Sequence, residues 1–483
     1  HLDYLTGKSA MYFQRYYLGC LAHASYMIAD EETRVAAVID PQRDIDQYLN
    51  DAAEHGFQIK DVFLTHFHAD FVAGHIELRD KAGAKIYLGA RAQAEYEFTP
   101  VKDGDVVEFG NVRLTVLETP GHTPEGISIL VYDLVQDARH PHAVLTGDTL
   151  FIGDVGRPDL LASIGVTADE LADMLYDSLR DKILQLPDET LVYPAHGAGS
   201  MCGKNLSSDA FSTIGNQRKY NYALQPMSRE EFKKIVTAEQ PEAPDYFAHD
   251  AVLNMRDRQS LEDAMKHSLR PLSLDEVLAL QAAGAQVLDT RNETDFAGAH
   301  LVGSINTGLE GKYATWCGTV LNKEQPVVVV AEESQEEESI MRLGRIGFDH
   351  VRGYLASGPN ALAGRDDVIS VTHRITARAL ADQLNDDAPP LVVDVRTTNE
   401  HSQAKIEGSV NIPLNRLIER SAELPRDRTL VVHCRSGYRS SLAASLLARE
   451  GFTDVLDLVG GIDAWHASQL PLIESNATTC ATR

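Results

Sequence analysis

Residues 65–74 read THFHADFVAG and follow directly on the apolar run 62–64. Two histidines and an aspartate therefore leave the end of a predicted strand together, at a place where a rigid scaffold displays functional side chains. Three more blocks place a His or an Asp in a turn after a predicted strand: TPGHT at 119–123, TGDT at 146–149 and YPAHG at 193–197. A single HxH pair is weak evidence, whereas four ordered blocks predict a metal site.

The four blocks resemble the metallo-β-lactamase superfamily, and closely its glyoxalase II and persulfide dioxygenase branch, over roughly residues 11–235. The resemblance implies an N-terminal αββα sandwich. The sequence pattern agrees with an α/β domain, because β-rich runs at 35–39, 62–65, 112–119 and 143–146 alternate with helical stretches.

The chain departs from the binuclear zinc hydrolases of this superfamily at Phe71. Those hydrolases carry a histidine directly after the aspartate of the HxHxD motif, and a phenyl ring has no lone pair to donate. A second metal position, built from Asp70, His196 and a bridging Asp148, would therefore lack a ligand. We predict one metal ion per chain.

In the persulfide dioxygenases, one iron is held by the first histidine of HxHxD, the histidine of the GHT block and the aspartate of the GD block. In this sequence these residues are His66, His122 and Asp148. The resemblance thus implies one Fe(II) per chain, with positions open for a substrate sulfur and O2, although such ligands also accept zinc. The implied reaction converts RSSH, O2 and water into RSH and sulfite.

Two roles are open for the remaining polar residues of the four blocks, His68, Asp70 and His196. They either orient the ligands and accept the proton of the persulfide, or they are inert remnants of a binuclear ancestor.

Arg157 and Cys202 lie downstream of the GD block. Arg157 either binds a substrate anion or bridges its own turn to Asp159. Cys202 either faces the metal and holds a sulfane sulfur, or is a buried inert thiol. Histidines without a partner block, such as His23, are expected to be structural.

The second half of the chain contains an internal repeat. VLDTR at 287–291 recurs as VVDVR at 392–396, and GSIN at 303–306 recurs as GSVN at 408–411, each with an offset of 105 residues. This pattern predicts two copies of a small α/β domain of about 100 residues. We predict a domain at 11–240, a connector at 241–271, and repeats at 272–362 and 373–475.

Residues 430–440 read LVVHCRSGYRS, which predicts a strand, a tight turn and a helix beginning near Ser440. The backbone N–H groups of such a turn stabilise an anion at its centre, where Cys434 lies, and Arg435 and Arg439 add positive charge. With DVR at 394–396, GSVNIP at 408–413 and GGIDAW at 460–465, this segment resembles single-domain rhodaneses over residues 373–470.

The rhodanese resemblance implies that Cys434 attacks a sulfane sulfur, carries it as a persulfide and passes it to sulfite or a thiol. Phosphatases use a similar loop that is generally one residue longer, so the spacing from Cys434 to Arg439 favours sulfur. A structural cysteine is the remaining alternative. The matching stretch of the first repeat, VAEESQEEE at 330–338, lacks a thiol and is acidic, so this copy, the silent repeat, is predicted to serve domain spacing or subunit contact.

The amino-acid composition limits the classes of molecule to which the protein can bind. A net charge of -27 disfavours binding to nucleic acid and to anionic membrane surfaces. The five cysteines form no CxxC pair, no apolar run reaches the roughly 18 residues of a membrane helix, and no targeting signal is evident. We expect a cytoplasmic homo-oligomer and assign no function to residues 1–10.

Both halves together predict a sulfur-oxidising enzyme that clears sulfide and persulfides. Persulfide is the substrate of the iron site, and its product sulfite is an acceptor for the rhodanese, which makes thiosulfate the natural end product. One alternative is a binuclear zinc thioesterase of glyoxalase II type with a sulfur-relay tail. Another is a sensor or scaffold in which Cys434 is loaded without significant turnover.

Overall fold

A computed structural model of the protein describes residues 10–160, 165–238, 240 and 242–475. The chain divides into two compact units. The first extends to Ala264 and includes Leu343–Phe348, and the second comprises Met265–Arg342 and the chain from Asp349 onward. Residues 1–9, most of the segment to which no function was assigned, lie outside the described residues.

The first unit contains two six-stranded sheets. The first sheet is formed, in spatial order, by β1 (Met11–Leu18), β2 (His23–Asp30), β3 (Val35–Ile39), β4 (Gln58–Phe63), β5 (Lys85–Gly89) and β6 (Thr99–Val101). The second sheet has the order β12-β11-β10-β9-β8-β7 and is formed by β7 (Val106–Phe109), β8 (Val112–Glu118), β9 (Ile127–Asp133), β10 (Ala143–Gly147), β11 (Leu191–Pro194) and β12 (Ser212–Thr213).

The two sheets pack face to face around one apolar core. Tyr26 and Phe63 from the first sheet share this core with Leu114 and Ile129 from the second. In β8 buried and half-buried residues alternate, because successive side chains of a strand point to opposite faces.

Helices cover the outer faces of both sheets. The helices of this unit are α1 (Asp46–His55), α2 (His75–Ala82), α3 (Ala168–Asp177), α4 (Ile214–Tyr220), α5 (Arg229–Thr237) and α6 (Tyr246–Met255), and α7 (Leu261–Ser268) spans the division. α1 and α2 contact β4, while Leu175 of α3 and Phe232 of α5 share a second core with Val144 of β10. The predicted αββα sandwich is confirmed.

The second unit contains two five-stranded parallel sheets with the same strand order. The first has the order β13-β18-β17-β14-β16 and is formed by β13 (Pro271–Leu272), β14 (Gln286–Asp289), β16 (Ile305–Asn306), β17 (Val327–Val330) and β18 (Val351–Leu355). The second has the order β20-β25-β24-β21-β23 and is formed by β20 (His373–Ile375), β21 (Leu391–Asp394), β23 (Val410–Asn411), β24 (Leu430–His433) and β25 (Val455–Leu458).

The described part of this unit also contains two short antiparallel strand pairs and eight further α-helices. The pairs join β15 (His300–Leu301) to β19 (Ile369–Ser370) and β22 (Ala404–Lys405) to β26 (Ile473–Glu474). The helices are α8 (Leu274–Ala282), α9 (Glu293–Gly298), α10 (Tyr313–Val320), α11 (Glu336–Gly344), α12 (Ala377–Gln383), α13 (Thr398–Gln403), α14 (Tyr438–Arg449) and α15 (Gly461–Ala467).

The internal repeat extends to side-chain hydrogen bonds. Asn306 Nδ2 donates to the carbonyls of Asp289 and Arg291. Asn411 Nδ2 donates to the carbonyls of the equivalent residues of the second copy, Asp394 and Arg396. The same residues therefore tie the same strand ends together in both copies. None of the described helices has the length and apolar character that crossing a membrane requires.

Candidate functional site

Three predicted metal ligands meet at one end of the sandwich. His66 follows β4, His122 follows β8 and Asp148 follows β10, and all three are buried with their ligand atoms within 4.8 Å of one another. The Nε2 atoms of His66 and His122 lie 3.7 Å and 3.4 Å from Asp148 Oδ2. A single ion could contact all three side chains.

Hydrogen bonds orient both imidazoles toward this centre. His122 Nδ1 donates to the carbonyl oxygen of Arg157 at 2.8 Å. The hydroxyl of Thr65 donates to Asp40 Oδ2 at 2.8 Å and so accepts from His66 Nδ1 at 2.9 Å. Because each Nδ1 is engaged, each ring presents its Nε2 to the centre, as in metal-binding histidines.

The burial and charge of His66, His122 and Asp148 favour the binding of a cation between them. Both carboxylate oxygens of Asp148 are buried and lack a hydrogen-bond partner among the described residues. Burial, together with the neighbouring Asp70, raises the pKa of Asp148 well above its usual value, and burial lowers the pKa of His122 to about 4. A divalent cation would supply the opposite charge that a buried carboxylate needs, and this donor set is typical of non-heme Fe(II) sites.

The other residues of the four blocks lie beside this centre. His196 Nε2 is 3.5 Å from Asp70 Oδ2 and 3.6 Å from Asp148 Oδ1, and His68 Nε2 is 3.0 Å from Asp40 Oδ1. His23, which was expected to be structural, has a ring nitrogen within 4.8 Å of those of His68 and His196. The sequence contains no signal for His23, because only the tertiary fold brings β2 to this site.

Phe71 and Cys202 lie beside the remaining histidines and Asp70 of the four blocks. The ring centroid of Phe71 is 4.1 Å from that of His23 and 4.5 Å from that of His68, so a hydrocarbon lies beside the histidines. The thiol of Cys202 is buried within 4.8 Å of Asp70 and His196. Burial and the neighbouring carboxylates of Asp70 and Asp148 raise the pKa of this thiol well above its usual value.

Arg157 forms the turn bridge that was one of its two predicted roles. Its Nε and Nη2 atoms each donate to Asp159 at 2.7 Å, and its Nη1 donates to the carbonyl of Met201 at 3.1 Å. This bridge fixes the backbone carbonyl that orients His122. Binding of a substrate anion by Arg157 stays a prediction.

Asn254 is a site residue that sequence reasoning missed. It lies in α6, within the predicted connector, and it is completely buried. Its Nδ2 donates to the carbonyls of His68 and Phe71 at 2.8 and 2.9 Å, and its Oδ1 accepts from the N–H of Ala73 at 2.8 Å. One amide therefore holds three backbone groups of the HxHxD loop, and no local pattern signals this.

Asn254→Ala is expected to lower the free energy of unfolding by at least about 2 kcal/mol, because it leaves buried backbone groups without partners. It is also expected to weaken metal retention roughly tenfold, since groups that support metal ligands typically have effects of this size. Thermal unfolding and metal analysis measure both effects. Gln286→Ala is the matched control. It removes a buried amide that binds the backbone of Asn322 in the second unit, so it should lower the free energy of unfolding and leave the metal content unchanged. Full metal retention in Asn254→Ala would contradict this role.

The second unit holds Cys434 in a tight turn between β24 and α14. The thiol is 1% exposed, and the N–H of Gly437 donates to its Sγ at 3.1 Å. Gly437 has a φ of 128°, a left-handed conformation that favours glycine. α14 begins at Tyr438, two residues before the predicted start near Ser440, so the helix N-terminus lies close behind the sulfur.

The two arginines of this loop have different partners. Arg435 is exposed and forms an ion pair with Asp463 at 3.3 Å. Arg439 donates two hydrogen bonds of 2.8 Å to Glu400, a residue that the sequence pattern did not identify. Burial would raise the pKa of Glu400, but Arg439 and the hydrogen bonds from Thr397 hold it at about 2. The charge of Arg439 is thus largely compensated by a fixed carboxylate.

Comparisons with known proteins identify relatives of both halves of the chain. The Metallo-beta-lactamase superfamily model matches residues 18–196, and the Rhodanese-like domain model matches residues 273–358 and 376–468. The mitochondrial persulfide dioxygenase of Bos taurus is 32% identical over 216 residues, which cover 44% of this chain and 75% of the relative. A sulfurtransferase of Allochromatium vinosum is 37% identical over 103 residues, which cover 21% of this chain and 96% of the relative.

A solved structure extends the likeness beyond the first unit. The crystal structure of a metallo-beta-lactamase from Staphylococcus aureus is 31% identical, with a TM-score of 0.64, and the match covers 71% of this chain and 98% of that one. The chain therefore belongs to the metallo-beta-lactamase superfamily, with an N-terminal domain homologous to the persulfide dioxygenases that continues into two rhodanese-like domains.

Proposed function

We propose that the protein oxidises a low-molecular-weight persulfide to sulfite at one Fe(II) held by His66, His122 and Asp148. The observation that carries this proposal is the convergence of these three buried side chains, whose ligand atoms lie within 4.8 Å of one another. Phe71, which packs against His23 and His68, supports a single metal ion because it offers no ligand atom. Ferrous iron with open coordination positions would supply the redox chemistry that oxygenation of sulfur requires.

The overall oxidation is RSSH + O2 + H2O → RSH + SO3²⁻ + 2 H⁺. The two protons need acceptors, and Asp70 and His196 lie beside the centre with two buried atoms, Oδ1 and Nε2, that have no hydrogen-bond partner among the described residues. We propose that they and His68 orient the ligands or accept these protons. Cys202 is proposed to contact the substrate sulfur, because its thiol lies within 4.8 Å of both Asp70 and His196.

The second step is sulfur transfer at Cys434. The thiolate attacks the outer sulfur of a persulfide, a new S–S bond forms, and the thiol RSH leaves. Sulfite then attacks the outer sulfur of the protein persulfide, which forms thiosulfate and returns the Cys434 thiolate. The turn supports both steps, because the N–H of Gly437 donates to the sulfur that carries the charge.

The proposal includes the division of the chain into the dioxygenase at 11–240, the connector at 241–271, the silent repeat at 272–362 and the catalytic repeat at 373–475. It also places the enzyme in a reducing compartment, namely the cytoplasm, because the five cysteines are odd in number and form no CxxC pair.

Metal analysis combined with O2 uptake tests the proposed function. Protein purified under conditions that retain Fe(II) is expected to contain about one iron per chain and to consume O2 only when glutathione persulfide is added. Two zinc ions per chain, no O2 uptake and hydrolysis of a glutathione thioester would establish the hydrolase instead. Persulfide-dependent thiosulfate formation would exclude a pure sensor or scaffold.

A further inference from the structure

We infer that the silent repeat is a working part of the sulfur-transfer site, because its residues Gly308 and Gly311 form a slot that holds Tyr438 of the Cys434 loop. The inference rests on the proposed role of Cys434. It gives the silent repeat a function other than domain spacing or subunit contact, and it makes Tyr438 a positioning residue.

The slot is lined by backbone. The hydroxyl of Tyr438 donates to the carbonyl of Gly308 at 2.7 Å. A Cβ atom added at Gly308 or at Gly311 would lie 3.3 Å from Cε2 of the Tyr438 ring, closer than most real Cβ contacts. A side chain at either position would therefore press on the ring, which would have to shift by a few tenths of an ångström. Burial raises the pKa of Tyr438 above its usual range, so the hydroxyl remains a donor.

A second set of contacts ties α14 to the same repeat. Ser441 Oγ donates to Asn306 Oδ1 at 2.6 Å, and the N–H of Asn306 donates to Ser445 Oγ at 3.1 Å. The two serines lie four residues apart and so share one face of the helix. Asn306 is itself held by its bonds to the carbonyls of Asp289 and Arg291. The helix behind the sulfur is therefore fixed to the strand ends of the silent repeat.

The silent repeat also reaches the turn that binds the sulfur. A Cβ atom added at Gly437 would lie 3.5 Å from Oε1 of Glu293, the first residue of α9. The N–H of the same Gly437 donates to Cys434 Sγ. One side of the turn thus faces the reactive sulfur and the other faces the silent repeat, so a displacement of that repeat would move the N–H that stabilises the thiolate.

The inference is tested by substitutions that place a side chain in the slot of the full-length protein. Gly308→Val is expected to lower kcat for thiosulfate formation from glutathione persulfide and sulfite by about ten- to a hundred-fold with a smaller change in KM, because misplacement by about 1 Å typically has this effect. The rate at which iodoacetamide alkylates Cys434 should also shift in its pH dependence, a change that general loss of packing would not produce. Gly298→Val is the matched control, because Gly298 lies in the same repeat with no atom within 4 Å of an added Cβ.

Two further variants identify the slot as the cause. Tyr438→Phe removes only the hydrogen bond to Gly308 and should shift the same pH profile in a protein that folds normally. In the double variant Gly308→Val, Tyr438→Ala, the loss of kcat should be no greater than in Tyr438→Ala, because the side chain that clashes is gone. Additive losses, or unchanged kcat and pH profile in Gly308→Val and Tyr438→Phe, would overturn the inference. Absence of sulfur transfer in the unaltered protein would instead overturn the proposed role of Cys434.

Discussion

His122→Ala is expected to abolish persulfide-dependent O2 uptake while sulfur transfer at Cys434 continues at the original rate. The substitution removes the Nε2 atom that lies 3.4 Å from Asp148 Oδ2, one of the three proposed ligands. Loss of groups that merely support metal ligands costs 10- to 100-fold, so loss of a ligand should lower metal affinity and O2 uptake by more than about 100-fold. Iron analysis and an oxygen electrode measure both quantities.

The matched control for His122→Ala is His140→Ala. His140 belongs to the same unit, but its side chain is 55% exposed and pairs with Asp137. This variant should keep its iron and its O2 uptake. Retention of iron and oxidation by His122→Ala, with normal folding, would remove this residue from the metal site.

Cys434→Ser is expected to abolish thiosulfate formation and to leave O2 uptake unchanged. A serine hydroxyl is a far weaker nucleophile than a thiolate and cannot carry a sulfane sulfur, so transfer should fall to background. The turn should survive, because a serine oxygen can accept the N–H of Gly437 that now donates to the sulfur. Sulfite should then accumulate in place of thiosulfate, which ion chromatography resolves.

Cys317→Ser makes the same replacement at another buried thiol of the second unit and should preserve both activities. The two principal variants together separate the two reactions. If either His122→Ala or Cys434→Ser removed both activities from a folded protein, the two sites would not be independent and the proposed division of labour would be wrong.

The fold could be predicted because its signals are local. The run at 35–39 coincides with β3, and the repeated VLDTR and VVDVR segments overlap β14 and β21, the corresponding strands of the two copies. The alternation of apolar residues and the residue types at strand ends depend only on neighbours along the chain. The same local signals identified His66, His122, Asp148 and Cys434 as the residues to consider.

The sequence by itself determined the fold class, the order of the motifs and the absence of a thiol from residues 330–338, the stretch of the silent repeat that matches the Cys434 loop. Only the tertiary structure decided that His23 and Asn254 lie at the candidate metal site, that Glu400 pairs with Arg439, and that Tyr438 enters a glycine slot of the silent repeat. These contacts join residues that lie tens to hundreds of positions apart, and a hydrogen bond or a close approach between such residues leaves no periodic pattern in the chain. Their partners become visible only when packing brings the strand ends and helices together.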